Sequence, residues 1–357
     1  MIKYLGSKRV LIPTILAVFD SLPEVRSVVD LFSGTARVGH ALKRAGYRVK
    51  SNDYLAYAQA LAMCYVQADR AELKDAATQL IDEFNRIPGR PGYVTHTFCE
   101  QSRFFQPKNG ARIDAIRAEI ARKSLAPELE AICLVALMEA ADRVDSTTGV
   151  QMAYLKQWAA RSHNDLCLRV PDLVDRPKAG KCEAHSFEAA HAVDVLEADA
   201  IYLDPPYNQH SYLGNYHIWE TLARMDEPEC YGVACKRVDC RERKSEFNFK
   251  KRAFPHFKQV IERARADYLI VSFNNEGFVP RKEMEEALSS RGKVFVIEKD
   301  HKRYVGAQIG IYNPLGDKVG QVSHVRNKEY IYVVVPNESD WTPACLDLAQ
   351  KSLAADL

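Results

Sequence analysis

The apolar run Ala200-Ile201-Tyr202-Leu203 stops abruptly at Asp204-Pro205-Pro206-Tyr207-Asn208, and this stop constrains the fold more than any other stretch. A short apolar run closed by prolines predicts a buried β-strand. The prolines remove two backbone donors and hold the residues before them extended, so neither Asp204 nor Pro205 enters a helix. Asp204 and Tyr207 are therefore expected on a stiff platform at the carboxyl end of a strand, where open α/β sheets bind ligands. The Asp204 carboxylate beside the Pro205 carbonyl offers two acceptors, matching the two donors of a planar exocyclic amino group. Tyr207 adds an aromatic face, worth roughly 1–3 kcal/mol per stacked base. The arrangement fits an amino-bearing nucleobase held out of its helix. A plain strand-to-loop turn capped by Asp204 is the alternative that four residues alone leave open.

Further stretches bear on that choice. Ser27-Val28-Val29-Asp30-Leu31-Phe32 predicts a buried strand that runs into Ser33-Gly34-Thr35-Ala36-Arg37-Val38-Gly39, with a helix through Ala45. Strand, glycine turn and helix open a Rossmann-like unit, in which Gly34 lets the backbone pass close to a ligand and Gly39 lets helix pack on sheet. Asp53 ends a second strand, Tyr47–Asp53, about twenty residues past the glycine turn, where an acidic residue accepts hydrogen bonds from ribose hydroxyls. A nicotinamide cofactor uses the same geometry, but the phosphate-binding G-x-G-x-x-G is missing, so a cofactor without phosphates fits better. At the N-terminus, Lys3-Tyr4-Leu5-Gly6-Ser7-Lys8 sets a Gly-Ser turn between lysines, and Lys8 can meet a carboxylate.

Together with Asn52-Asp53 and Val271-Ser272-Phe273-Asn274-Asn275-Glu276-Gly277, these motifs stand in one order across most of residues 1–335. In that order the chain resembles the adenine-N6 DNA methyltransferases of the D12 class, which include the Dam methylases and many restriction-modification methylases. The resemblance implies an α/β fold: a Rossmann-like, S-adenosylmethionine-dependent methyltransferase sheet with a mainly helical insertion. It implies Asp204, Pro205, Pro206 and Tyr207 as catalytic residues. S-adenosylmethionine would be held by Tyr4, Lys8, Asp30, Phe32, Gly34, Asp53 and Asp204, with no metal. Ala36 stands where many members have glycine, and His301-Lys302-Arg303-Tyr304 matches a family segment near the active site loosely.

A net charge of +2 over 357 residues means that any nucleic-acid surface is local rather than global. The most basic region holds Lys236, Arg237, Arg243, Lys244, Lys250, Lys251 and Arg252 around Phe247 and Phe249. These are the expected phosphate contacts, against the alternative of a solvated face. The nine cysteines lack paired spacing, which argues for a reducing compartment, and the five-residue recurrence of Cys230, Cys235 and Cys240 is not a zinc spacing. No apolar run reaches the roughly 18 residues of a membrane span and no signal-peptide pattern opens the chain, so a cytoplasmic protein is expected.

The organisation expected is a cofactor-binding half at 1–66, a helical insertion at 67–189 that is a candidate for target recognition, a catalytic half at 190–335 with the basic loop 230–255, and a peripheral tail at 336–357. Helices are expected near 10–22, 58–84, 113–121, 128–144, 218–225 and 283–288, and a closing pair of strands at 293–297 and 328–335. The polar, aromatic stretch Asn208–His217 is expected to close over a flipped base. The expected activity is methyl transfer to the N6 amino group of a flipped adenine in double-stranded DNA, as an orphan methylase or beside a cognate restriction endonuclease acting on the same site. An RNA adenine-N6 methyltransferase and a non-catalytic DNA-recognition subunit on the same fold are the rival readings. The recognition sequence and the oligomeric state are not written in these motifs.

Overall fold

The structure, a computed structural model, describes residues 1–302, 311–312, 318–320 and 326–346. Seven strands form one sheet: β1 Ser27–Asp30, β2 Arg48–Asn52, β3 Glu183–His185, β4 Ala200–Leu203, β5 Tyr268–Asn274, β6 Lys293–Lys302 and β7 Arg326–Val335. Their spatial order is β3-β2-β1-β4-β5-β7-β6. The first five run parallel, and β7 enters antiparallel between β5 and β6. This is the mixed sheet of an α/β, Rossmann-like fold. The chain leaves β1 for β2 on one side, while β4 lies on the other, so a crevice opens between the carboxyl ends of β1 and β4.

The apolar runs form the centre of the sheet because parallel strands flanked by helices are buried on both faces. All four residues of β4 are buried. Alternate side chains point to opposite faces. Val28 and Tyr202 join a core with Ile15, Phe19 and the helices of the middle region. Val29, Ile201 and Leu203 join a second core with Val260, Ile261 and Met284.

Several expectations are corrected. The helix expected over 58–84 is two elements, Ala56–Ala62 running on through a π turn to Gln67, then Arg70–Arg86. The break is tertiary in origin: the carboxylate of Asp69, a buried residue, takes ion pairs from Lys43, Arg176 and Lys181. The region expected as an insertion at 67–189 gives back its end to the sheet. The polar strand Glu183–His185 pairs in parallel with β2, Lys50 facing Glu183 and Asn52 facing His185. Helices Pro107–Lys123 and Pro127–Val144 share the first core with the sheet, through Ile116, Ile132, Val135 and Leu137. In the tail, Trp341 is buried, donates its indole N–H to Ser21 Oγ at 2.9 Å and meets the Phe295 ring at 5.2 Å. Arg303 and Tyr304 of the loosely matched segment, and residues 347–357 of the tail, lie outside the described residues; His301 and Lys302 fall at the end of β6.

Candidate active site

The floor of the crevice is the turn after β1. Gly34 has φ of 52° and Ala36 has φ of 57°. An alanine in the left-handed region costs about 1–2 kcal/mol, and it is held because Ala36 caps the helix Arg37–Arg44. A Cβ on Gly39 would stand 2.7 Å from Ser51 Oγ and 3.0 Å from Val66 Cγ2, so glycine is what lets this helix lie on β2. Asp53 is pinned to the turn: Gly34 N donates to its Oδ2 and Leu55 N to its Oδ1, each at 3.0 Å. Burial pushes its pKa up to about 6 although both N–H groups oppose this. Asp30 accepts from Gly39 N at 3.1 Å through Oδ2, and its Oδ1 is buried with no partner. Burial, then the nearby Asp204 charge, push Asp30 up to about 7.

The N-terminal segment forms one wall. The Tyr4 ring is stacked between Tyr212, with centroids 5.1 Å apart, and Tyr216, at 4.5 Å. Its hydroxyl meets that of Tyr57 at 3.1 Å. Two tyrosines of the stretch Asn208–His217 thus hold the N-terminal segment. Lys8 is buried, with Nζ 3.0 Å from Asp204 Oδ1 and 3.6 Å from Glu329 Oε2. Burial disfavours the ammonium, but Asp204 and then Glu329 outweigh it and hold the Lys8 pKa high. Asp204 goes up to about 6, since burial and Glu329 together exceed the pull of Lys8.

Asp204 follows β4 directly, as the proline stop requires. The Tyr207 ring meets Phe273 edge-on at 5.6 Å, and its carbonyl accepts Phe278 N at 2.8 Å, so the loop after β5 braces the turn. Asn248 Nδ2 donates to the carbonyls of Asn208 at 2.9 Å and His210 at 3.1 Å. The Pro205 carbonyl has no hydrogen-bond partner among the described residues.

The structure brings all seven residues expected around the cofactor, Tyr4, Lys8, Asp30, Phe32, Gly34, Asp53 and Asp204, to the lining of one cavity. Pro206 also lines it; Pro205 and Tyr207 do not. A further wall escaped sequence reasoning: Phe247, whose ring meets Phe32 at 5.2 Å, with Asn248, His256 and Val260. Glu329 escaped too. It closes the polar start Arg326-Asn327-Lys328-Glu329 of β7, ahead of the apolar run Tyr330–Val335, and nothing in that pattern marks it out.

The basic stretch divides. Arg237 is corrected out of the phosphate set: it is 2% exposed, and its guanidinium binds Asp226 at 2.7 Å twice and Asp239 at 3.0 Å twice. Arg243 is half-buried and pairs with Glu220 and Asp239, each at 3.1 Å. Arg252 is exposed, pairs with Glu246 at 3.0 Å and lies over the Phe249 ring. Lys244, Lys250 and Lys251 are exposed and Lys236 is half-buried, and none has an ion pair among the described residues. Cys230, Cys235 and Cys240 do not converge: their nearest polar partners are Tyr93, Gln101 and the Leu213 carbonyl. Among the described residues no group of three or more His, Cys, Asp or Glu is placed to hold a metal ion, and no helix is long and apolar enough to cross a membrane.

The sequence matches a family model and several known proteins. The family model of the D12 class N6 adenine-specific DNA methyltransferases matches residues 4–284. The chain is 32% identical over 310 residues to the type II methyltransferase M.FokI of Planomicrobium okeanokoites, covering 81% of this chain and 47% of that protein. It is 30% identical over 305 residues to the modification methylase StsI of Streptococcus sanguinis, covering 80% of this chain and 46% of that protein. It is 27% identical over 309 residues to the type II methyltransferase M.NlaIII of Neisseria lactamica, covering 84% of this chain and 90% of that protein. The chain thus spans about half the length of the first two relatives and most of the third.

Proposed function

Because the chain belongs to the D12 class N6 adenine-specific DNA methyltransferases, we propose that it transfers a methyl group from S-adenosylmethionine to the N6 amino group of an adenine turned out of double-stranded DNA. The observation that carries this reading is the placement of Asp204 at the end of β4, on the edge of the cavity that also holds the Gly34 turn and Asp53. The cavity suits the methyl donor: a carboxylate for a ribose diol at Asp53, aromatic walls at Phe32 and Phe247, and no phosphate-binding glycine motif. When bound, the donor supplies an electrophilic methyl group on a sulfonium.

The chain's own residues act on the base. An adenine amino nitrogen is a weak nucleophile because its lone pair is delocalised into the ring. Asp204 and the Pro205 carbonyl accept its two N–H bonds, which localises and aims the lone pair. Tyr207 stacks on the ring. The proton that leaves the nitrogen as the new N–C bond forms has Asp204 as its first acceptor, and Lys8 keeps Glu329 as a partner when that carboxylate is neutralised. Positioning and fixed charge then supply the acceleration, with no covalent bond between enzyme and base.

Methyl transfer to deoxy and ribo versions of one duplex, with N6-methyladenine identified in the product, tests the reading. Transfer to the deoxy duplex is expected. Transfer only to RNA, or none to either, would overturn it. The acid limb of kcat carries a second expectation. Asp204 must be ionised to accept from the amino group, and it takes up its proton at about pH 6. With donor and DNA saturating, kcat should fall as pH drops through about 6; a flat profile down to about pH 5, near the ordinary range of a carboxylate, would remove Asp204 from this role.

Phosphate contacts fall to Lys236, Lys244, Lys250, Lys251 and Arg252, with Arg243 drawn partly into its ion pairs. Lys250, Lys251 and Arg252 open the helix Lys250–Arg263, where the positive end of the helix dipole disfavours cations. A phosphate would relieve that arrangement. Replacing these three by Ala should weaken binding to all DNA sequences alike and flatten log affinity against log salt by about 0.9 for each phosphate no longer neutralised. An unchanged slope makes the stretch a solvated face. This reading implies a cytoplasmic site of action, and a companion endonuclease acting on the same site is the partner it suggests.

A further inference from the structure

Two cations reach the cavity from the N-terminal half, and their surroundings differ. Lys8 already lies between the carboxylates of Asp204 and Glu329. A third carboxylate arriving there would meet two negative charges and one positive. Arg37, the first residue of the helix after the Gly34 turn, also lines the cavity. Its guanidinium makes no hydrogen bond or ion pair among the described residues, and its Nε is buried without a partner. Burial and repulsion from Arg9 pull its pKa down, and the attraction of Tyr65 and Glu139 does not make up for them. Glu139 is itself engaged by the Tyr65 hydroxyl and the Met1 ammonium.

A half-buried cation without a counter-charge is costly to keep. At the wall of a ligand cavity it fits an anion that arrives with the ligand. We propose that Arg37 receives the α-carboxylate of the methionyl part of the methyl donor, and that Lys8 serves the Asp204–Glu329 pair instead. This rests on the reading of the cavity as the S-adenosylmethionine site. It assigns the two cations separate tasks: Arg37 selects a donor that ends in an amino acid, and Lys8 keeps charge balance at the reacting edge. Arg37 is well placed for a fixed role, because the left-handed Ala36 sets the helix start and the bare backbone at Gly39 lets that helix lie close on Ser51 and Val66.

Titration calorimetry with two nucleosides separates the outcomes. S-adenosylhomocysteine carries the α-carboxylate, while 5′-methylthioadenosine shares the adenosine and the thioether and lacks the amino acid. Arg37→Met should weaken S-adenosylhomocysteine by roughly 10- to 100-fold, the scale of a lost charged hydrogen bond, and leave 5′-methylthioadenosine within about threefold. Retained binding of the second nucleoside also reports that the variant is folded. Asp53→Ala should weaken both together, and Lys8→Met should leave the ratio of the two affinities unchanged. Equal loss of both nucleosides in Arg37→Met, no loss of either, or a selective loss in Lys8→Met would overturn the assignment. If the unaltered chain binds neither nucleoside, the cofactor reading of the cavity falls, and the assignment of Arg37 with it.

Discussion

Asp204→Ala should lower kcat by about 100-fold or more, the scale set by removing one hydrogen bond made at a transition state, while leaving the fold and the affinity for DNA in place. The reason lies in where the carboxylate stands. It ends β4 without supporting it: its Oδ1 faces Lys8, and no backbone group hangs on it. Removing it does not strand the buried ammonium, because Glu329 Oε2 remains 3.6 Å from Lys8 Nζ. The loss should therefore appear in methyl transfer and not in the unfolding midpoint. A purified variant that methylates DNA within about tenfold of the parent rate, below the usual cost of such a hydrogen bond, would show that the carboxylate is not what aims the amino group.

Arg237→Met should have the opposite profile. Its guanidinium ties Asp226, just past the helix His217–Arg224, to Asp239, just past the hairpin of Cys230–Tyr231 and Lys236–Arg237. Removing it takes the buried cation from between two carboxylates and leaves each with one outlying arginine, Asp226 with Arg224 at 2.9 Å and Asp239 with Arg243 at 3.1 Å. Breaking a buried ion pair in this way costs about 3–5 kcal/mol. The aspartate side chains are 27% and 28% exposed, so water takes up part of the charge and about 2–4 kcal/mol is expected. Chemical denaturation reads the loss, and the salt dependence of DNA binding should not change. Stability within about 1 kcal/mol of the parent, an ordinary surface effect, joined to a flatter salt slope would put Arg237 back among the phosphate contacts.

Arg237 also shows where sequence reading stops. Lys236 to Arg252 looks like a basic surface because a charge count has no information on partners, and Asp226 and Glu220 lie outside the run. The same limit hid the break at Asp69, which depends on Arg176 and Lys181 from more than a hundred residues away. It hid β3, whose polar Glu183-Ala184-His185 is a strand only because β2 offers an edge. By contrast β1, β4 and β5 were legible because a strand buried on both faces must be apolar along its length. Asp53 and Asp204 were legible because strand ends beside glycines and prolines fix a side chain through local backbone geometry. The rest of the cavity comes from pairings across the chain: Phe247 on Phe32, Tyr212 on Tyr4 and Glu329 on Lys8.

The place of β7 between β5 and β6 has a consequence for biosynthesis. A ribosome delivers the chain from its N-terminus, so β1 to β6 emerge while the strand that belongs between the last two is still unmade. Until residues 326–335 arrive, β5 has an unpaired edge, and an open strand edge invites pairing with other chains. Lys8 meanwhile has one of its two carboxylates. The arrival of β7 closes that edge with the register Glu329 to Asn274 through Val334 to Leu269, and the same strand carries Glu329 up to Lys8. Protection from aggregation and completion of the charge triad are thus one event, and a nascent chain that has not reached it has neither.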